Sequence, residues 1–254
     1  MNELTDNTNI INNPEQAVDQ FMGEQFIEWL MDHISRQIKA WPAVIRIKAA
    51  KPRPEKIKKF MLQKFLAAEA FLGAREGDPG FLRFAIANLS ESDDPTAESA
   101  LEILDKKRQE DPEGTAHRAL WQYLLLALGL KTEDIGRAVL KEQTRNYIAE
   151  MSDVYSSSEW QTAVGAYAAA ERAVKEENLA ILEMLKKNTA LGNKDLEILS
   201  TQGNSGANYV VNSSHILDKI VFDRDTKQLV WEGVKRQLET RKEFLSGLAA
   251  YLEG

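Results

Sequence analysis

The stretch "SSSEWQTAVGAYAAAERAVKEENLAILEMLKKNT", residues 156–189, predicts one long helix whose centre is built of small residues. One carboxylate, Glu171, directly follows three alanines in that centre. Three residues lie three, four and seven positions before it: Ala168, Tyr167 and Val164. Positions with these spacings share one face of an α-helix, so Glu171 belongs to an apolar face that we expect to be buried.

A carboxylate on a buried helix face must be neutralised, paired with a cation or bound to a metal ion. For Glu171 the sequence allows two interpretations. The carboxylate is either a metal ligand or one half of a salt bridge to a buried arginine or lysine.

Helical periodicity continues over nearly the whole chain, because apolar residues recur at steps of three and four. No segment shows the clean two-residue alternation of a strand, and "STQGNSGAN" (200–208) predicts a loop. Further helices are predicted over residues 14–41, 53–77, 79–90, 93–109, 131–153, 207–225 and 227–254. We therefore predict an all-α fold, a single-domain bundle of about eight helices over residues 14–254, after a flexible tail at residues 1–13.

Composition excludes several classes of function. The chain has 254 residues, a formal net charge of −7, a pI near 5.2 and no cysteine. It therefore lacks the clustered positive charge of a nucleic-acid surface, and it cannot form disulfides, thiolate metal sites or cysteine nucleophiles. No apolar run approaches the roughly 20 residues that span a bilayer, and the polar N-terminus does not resemble a secretory signal. We expect a cytoplasmic protein that binds neither nucleic acid nor membranes.

The stretch "QEDPEGTAHRALWQYLLLALGL" (109–130) places His117, one of three histidines, at the entry of a helix predicted to begin at Pro112. Glu113 lies four residues before His117, and Glu110 lies seven before it. Carboxylates and imidazoles on the helices of a bundle are the ligands of iron and manganese sites. Alternatively, Glu113 only complements the helix dipole and His117 is an ordinary solvated or half-buried residue.

A third candidate segment is "SSHILDKIVFDRDTKQ" (213–228). His215 and Asp223 lie two four-residue steps apart, and Asp218 follows His215 by three residues, so all three are near one helix face. These side chains could complete a metal site with the earlier candidates. The alternative is a polar stripe with internal ion pairs, such as one between Asp223 and Lys227.

His33, near Trp29 and Trp41 on the first predicted helix, could be the proximal ligand of a haem iron. The alternative is a structural histidine. The sequence contains no GxGxxG or P-loop motif for binding nucleotide phosphates and no GxSxG motif for a nucleophilic serine. It therefore does not support a nucleotide-binding enzyme or a hydrolase with a nucleophile elbow.

The order of these features resembles the haem-oxygenase-like superfamily, in the branch that contains TenA, PqqC and the chlamydial death-domain-associating protein. The resemblance covers most of residues 14–254. It rests on an acid-plus-His helix followed by "ALG", the "AVGAYAAAE" pattern that ends at Glu171, a late His/Asp helix, and a last helix ending "FLSGL".

One group within that branch consists of non-haem di-iron oxygenases. Their usual ligands are a Glu and a His on one helix, a Glu on the next long helix and a late Asp-x-x-x-His. In this sequence the earlier ligands are matched by Glu110 (or Glu113), His117 and Glu171.

The late motif of that group is not matched. Phe222 stands four residues after Asp218, and Lys227 stands four residues after Asp223, where the group has histidine. His215 is nevertheless present. The resemblance therefore implies a site with one iron, two irons on substituted ligands, or no metal.

The function implied is oxidation of a small organic substrate, such as an amino acid or fatty acid, with O2 as co-substrate. Tyr167, one turn before Glu171, would face the same cavity and take a catalytic part, either by binding an intermediate or by being oxidised.

The alternatives are a metal-free oxidase like PqqC and a non-catalytic helical module that binds a small molecule or protein. The resemblance also implies a homodimer. Cysteine-dependent thiaminase chemistry is excluded.

Overall fold

The computed structural model describes residues 14–73, 80–110, 115–204, 214–221 and 223–253. In these residues the chain forms α-helices joined by short connections, with no strand. The helices are α1 (Pro14–Gln20), α2 (Gly23–Lys39), α3 (Pro42–Ala49), α4 (Pro54–Leu72), α5 (Phe81–Ser90), α6 (Pro95–Glu110), α7 (Thr115–Ala127), α8 (Thr132–Gly136), α9 (Glu142–Tyr155), α10 (Trp160–Asn188), α11 (Glu197–Asn204), α12 (214–220) and α13 (Arg224–Ala249), and a 3-10 turn follows at Ala250–Leu252.

The all-α prediction is confirmed, although the helices are more numerous and shorter than predicted. The helix expected over 14–41 breaks before Gly23, whose φ of +50° turns the chain. The helix expected over 53–77 ends at Leu72 because Gly73 adopts the left-handed conformation of a helix C-cap. Residues 1–13, predicted as a tail, lie outside the described residues.

The helix predicted over 131–153 is two helices, α8 and α9, and a side chain from another helix accounts for the break. Gln63 of α4 donates from Nε2 to the carbonyl oxygen of Val139 at 3.0 Å. Its Oε1 accepts the backbone N–H of Lys141 at 2.9 Å and the hydroxyl of Thr144 at 2.7 Å. Gln63 thus replaces the backbone hydrogen bonds that a continuous helix would make.

The long helix α10 is central, and its packing on α13 requires two glycines. A Cβ atom on Gly165 of α10 would lie 2.1 Å from the carbonyl oxygen of Val230. A Cβ atom on Gly233 of α13 would lie 1.9 Å from the carbonyl oxygen of Thr162. The two backbones are therefore in contact at this crossing, which explains the run of small residues in the centre of α10.

His33 is a packing residue between α2 and α13. Its ring stacks on Trp29 with centroids 5.0 Å apart and meets the ring of Trp231 edge-on at 5.5 Å. Burial lowers the pKa of His33 below its ordinary value, so the ring is neutral at neutral pH. These contacts favour the structural interpretation of His33 over haem ligation. Within the described residues, no helix has both the length and the apolar character to cross a membrane.

The α10–α13 crossing predicts that Gly165→Ala and Gly233→Ala each lower the free energy of unfolding by roughly 2–3 kcal/mol or more, because backbone must move to admit a methyl group. Helix propensity alone would change stability in the opposite direction, by about 1 kcal/mol. Urea unfolding monitored by circular dichroism measures the effect.

Gly136→Ala is the matched control, because a Cβ atom there meets nothing within 4 Å. We expect this variant to be as stable as the native chain or slightly more so. If Gly165→Ala and Gly233→Ala were as stable as Gly136→Ala, the backbones of α10 and α13 could not be in contact at these two glycines.

Candidate functional site

The predicted apolar face of α10 is buried, and Glu171 lies at its edge. Val164, Tyr167 and Ala168 are buried, whereas Glu171 is half-buried. The Tyr167 hydroxyl donates a hydrogen bond of 2.6 Å to Glu171 Oε1. The tyrosine therefore helps to fix the orientation of the carboxylate.

Aromatic rings from three other helices pack beside this pair. Phe71 of α4 stacks on Tyr167 with centroids 6.3 Å apart, and it meets Tyr155 of α9 edge-on at 6.1 Å. Phe81 of α5 stacks on Tyr155 at 5.5 Å and meets Phe71 edge-on at 6.3 Å. Tyr167, which holds Glu171, therefore packs against an aromatic cluster on its α4 side.

His117 lies in the first turn of α7 and is half-buried. The next residue, Arg118, pairs through Nε with Oε1 of Glu69 at 3.0 Å, and this carboxylate of α4 is buried. The ion pair joins the start of α7 to α4 and so limits the positions His117 can take. Glu110 is the last residue of α6, and its side chain and all of Glu113 lie outside the described residues.

The late candidates are directed to solvent. His215 and Asp218 are exposed on α12. Asp223 is exposed too, and its carboxylate accepts the backbone N–H of Thr226 at 2.8 Å, which makes it the N-cap of α13. That hydrogen bond lowers the pKa of Asp223. Lys227 does not pair with Asp223, because its ammonium donates to the carbonyl oxygen of Phe21 at 2.8 Å.

Across the described parts of the chain, no three His, Asp or Glu side chains lie close enough together to hold a metal ion. A metal site that includes His117 or Glu171 would therefore need at least one ligand from outside the described side chains. Metal ligation by Glu110, Glu113, His117 and Glu171 remains a prediction, and so does ligation by the late residues.

The structure also contains a buried charged cluster that the sequence analysis missed. Glu177 of α10 is 0% exposed, and two buried cations converge on it: Lys64 of α4, 5% exposed, and Arg241 of α13, 6% exposed. Arg241 binds both carboxylate oxygens, at 2.6 Å and 3.1 Å, and the Lys64 ammonium donates to Oε2 at 2.5 Å. A buried carboxylate with cationic partners, which was one of the two interpretations offered for Glu171, thus occurs at Glu177.

A signal for Glu177 was present in the sequence. Glu177 follows Ala170 by seven residues and Ala173 by four, so it continues a second small-residue face of α10. Glu177 stands in the polar stretch "KEEN" (175–178), which has the composition of an exposed helix face and so hid the buried position of Glu177.

The charges in the cluster stabilise one another. Burial alone would raise the pKa of Glu177, but Arg241 and Lys64 together lower it to about 2. Burial lowers the pKa of Lys64, and Glu177 opposes that change. Arg241 also donates to the hydroxyl of Tyr147 on α9 at 2.9 Å. Four helices, α4, α9, α10 and α13, therefore meet at one carboxylate.

Removing the Glu177 charge leaves two buried cations without a counter-ion. We predict that Glu177→Gln lowers the free energy of unfolding by roughly 3–5 kcal/mol, as for other broken buried pairs. Glu183→Gln is the control on the same helix. Its carboxylate makes an exposed pair with Lys187, and we expect almost no change. Equal stability of the two variants in urea would contradict the account of the cluster.

The lowered pKa of Glu177 also predicts a pH dependence. Its stabilising contribution is complete above its ordinary pKa of 4.5 and is lost as the pH falls towards about 2. The stability difference between the native chain and Glu177→Gln should therefore be constant from neutral pH down to about 5 and shrink below that. A difference that grew on acidification would be the opposite of this expectation.

Solved structures of proteins from three bacteria resemble this arrangement of helices. A CADD-like protein of unknown function from Nostoc punctiforme PCC 73102 is 12% identical, with a TM-score of 0.71 over 88% of this chain and 97% of that one. A TenA homologue from Pseudomonas syringae pv. tomato DC3000 is 12% identical, with a TM-score of 0.68 over 92% and 91%. A domain of unknown function from Shewanella denitrificans OS217, described as having a haem-oxygenase-like fold, is 13% identical, with a TM-score of 0.67 over 89% of both chains.

These likenesses establish the haem-oxygenase-like fold expected from the sequence. A comparison with curated protein sequences gave no significant match. The model of the TENA/THI-4/PQQC family matches residues 80–225, more than half of the chain, which includes α5 to α12 and the Tyr167–Glu171 pair. With the family model and the fold in agreement, the chain belongs to the TENA/THI-4/PQQC family.

Proposed function

We propose that this chain is an iron-dependent enzyme that oxidises a small organic substrate with O2, and that it holds one iron between α7 and α10. The observation that carries the proposal is the Tyr167–Glu171 pair, in which a half-buried carboxylate on an apolar face is held at 2.6 Å by a tyrosine hydroxyl. A carboxylate oriented in this way is a suitable metal ligand.

His117 and Glu171 would supply one imidazole and one carboxylate to the iron, and Glu110 or Glu113 would supply the third side chain. This donor set of nitrogen and oxygen ligands suits iron. When bound, the iron supplies the electrons that activate O2.

The late residues support one iron rather than two. His215 and Asp218 are exposed on α12, and the carboxylate of Asp223 is used to cap α13. The second iron of the di-iron oxygenases needs a late Asp-x-x-x-His, which this sequence lacks. A single metal therefore fits these residues better than a pair.

The chain's own residues would prepare the site in two ways. Tyr167 holds the Glu171 carboxylate in place, and the salt bridge between Arg118 and Glu69 holds the first turn of α7 against α4. The rings of Phe71, Phe81 and Tyr155 would limit the access of water to the α4 side of the pair. An apolar wall of this kind suits a substrate with a hydrocarbon part.

The test is anaerobic loading with Fe(II), removal of free metal, and elemental analysis. We expect about one iron per native chain, the stoichiometry of a mononuclear site. His117→Ala and Glu171→Gln should each lose most of the bound iron while their circular dichroism spectra stay native. Exposure to O2 with optical monitoring then shows whether the bound iron is oxidised.

His215→Ala is the matched control, because it removes the exposed histidine of α12 and should leave the iron content unchanged. Loss of iron in His215→Ala would show that the late helix supplies a ligand and would contradict the single site between α7 and α10. A native chain that binds no iron would support a metal-free oxidase or a binding module instead.

A further inference from the structure

Lys227 of α13 is a buried lysine that forms no salt bridge with any Asp or Glu among the described residues. Its side chain is only 1% exposed. Two acidic side chains of the same region are used elsewhere, since Asp19 pairs with Arg224 at 2.8 Å and Asp223 caps α13. A buried cation without a counter-ion is unfavourable, so the hydrogen bonds that the ammonium makes to neutral groups are important for its stability.

Those hydrogen bonds go to the junction between α1 and α2. The Lys227 ammonium donates to the carbonyl oxygen of Phe21 at 2.8 Å and to Sδ of Met22 at 3.2 Å. It also lies 5.9 Å from the centroid of the Phe26 ring. A thioether sulfur is a weak acceptor, so the contact with Met22 uses little of the ammonium's capacity to form hydrogen bonds.

Met22 is also the one exposed methionine among the described residues. Its side chain is 54% exposed, whereas the other four methionines of this part of the chain are 4% exposed or less: Met31, Met61, Met151 and Met184. A dissolved oxidant must reach the sulfur through solvent, so Met22 is the methionine that it meets first.

We propose that Met22 is a site of reversible oxidation by hydrogen peroxide, and that Lys227 binds the oxygen of the resulting sulfoxide. A lone pair of the sulfur attacks one peroxide oxygen, and the O–O bond breaks. The departing hydroxide takes the proton of the transferred oxygen and leaves as water. The sulfur is thereby oxidised by two electrons and the peroxide is reduced. Methionine sulfoxide reductases reverse the change.

The effect of oxidation on stability follows from the two side chains. The sulfoxide oxygen carries partial negative charge and accepts hydrogen bonds more strongly than the thioether sulfur does. Because Met22 is already largely in solvent, a more polar side chain there loses little burial. The buried Lys227 ammonium gains a charge-assisted hydrogen bond in exchange. Oxidation should therefore stabilise the folded chain.

The same hydrogen bond would strengthen the attachment of the N-terminal helix. Met22 lies between the end of α1 and the start of α2. In the reduced chain, α1 is held on α13 by the exposed pair of Asp19 with Arg224 and by the hydrogen bond from Trp231 to Glu15 at 3.2 Å. A sulfoxide bound by Lys227 would add a third polar contact. This inference does not depend on the proposed function.

The first test is exposure of the full-length chain to hydrogen peroxide, with a chelator present to suppress reactions of free metal ions, followed by peptide mass spectrometry. We expect Met22 to be oxidised roughly ten-fold faster than the four buried methionines. The Tm of the oxidised chain should rise by about 2 °C or more, and methionine sulfoxide reductase should return it to the original value. Equal oxidation rates, or a Tm that falls or stays unchanged when Met22 is oxidised, would overturn the proposal.

Two variants replace the oxidation by a permanent change. Met22→Gln carries an amide oxygen as a substitute for the sulfoxide, and Met22→Leu carries no acceptor. Residue 22 is the N-cap of α2 and has an extended backbone, so helix propensity does not separate the two variants. We expect Met22→Gln to melt about 2 °C above Met22→Leu, and the Tm of neither variant to respond to peroxide. Equal Tm values for the two variants would also overturn the proposal.

Lys227→Leu assigns the effect to the ammonium. In this background the Gln and Leu variants at residue 22 should melt at the same temperature, and oxidation of Met22 should no longer raise the Tm. Lys242→Leu, which removes an exposed lysine of α13, is the matched control and should retain both effects. A difference between Gln and Leu that persists without Lys227 would overturn its role. If Lys227→Leu does not fold, the comparison of Met22→Gln with Met22→Leu and the reversal by the reductase decide the question.

Discussion

The contact between Glu177 and Arg241 determines how the central helices can pack. A bidentate pair buried between α10 and α13 requires both helices to keep their register, since a buried charge without its partner is strongly unfavourable. The backbone contact at Gly165 and Gly233 fixes the same two helices nearer the other end. Lys64 and Tyr147 bring α4 and α9 to the same point. These contacts fix the register and rotation of α10, and so the direction in which the backbone at Glu171 faces.

Because α10 is held in this way, it presents two carboxylates to different surroundings. Glu177 faces α4 and α13 and forms salt bridges with Lys64 and Arg241. These two cations lower its pKa to about 2, so the carboxylate is charged and has a structural role. Glu171 is half-buried and is held by a tyrosine hydroxyl beside aromatic rings. The first arrangement stabilises the folded chain, and the second is the one from which metal ligation by Glu171 is proposed. This difference along one helix is the reason for proposing Glu171, and not Glu177, as a ligand.

The fold class could be predicted from the sequence because helical periodicity is a local property of nearly every segment. The break between α8 and α9 could not, since it depends on Gln63 of α4 reaching the backbone of another segment. The buried face around Glu171 was predicted from its small neighbours, yet the same pattern around Glu177 was hidden by adjacent charges. Spacing placed His215, Asp218 and Asp223 near one face, but spacing cannot tell whether that face is directed to the core or to solvent.

We propose that α7 and α10 hold a single iron through His117 and Glu171. Anomalous diffraction at the iron absorption edge, from crystals loaded anaerobically with Fe(II), locates the metal. We expect one anomalous peak per chain, within bonding distance of the His117 imidazole and the Glu171 carboxylate, and none at the exposed face of α12. A second peak, or a peak bonded to His215, Asp218 or Asp223, would rule out a single iron at this position, and so would the absence of any peak from fully loaded crystals.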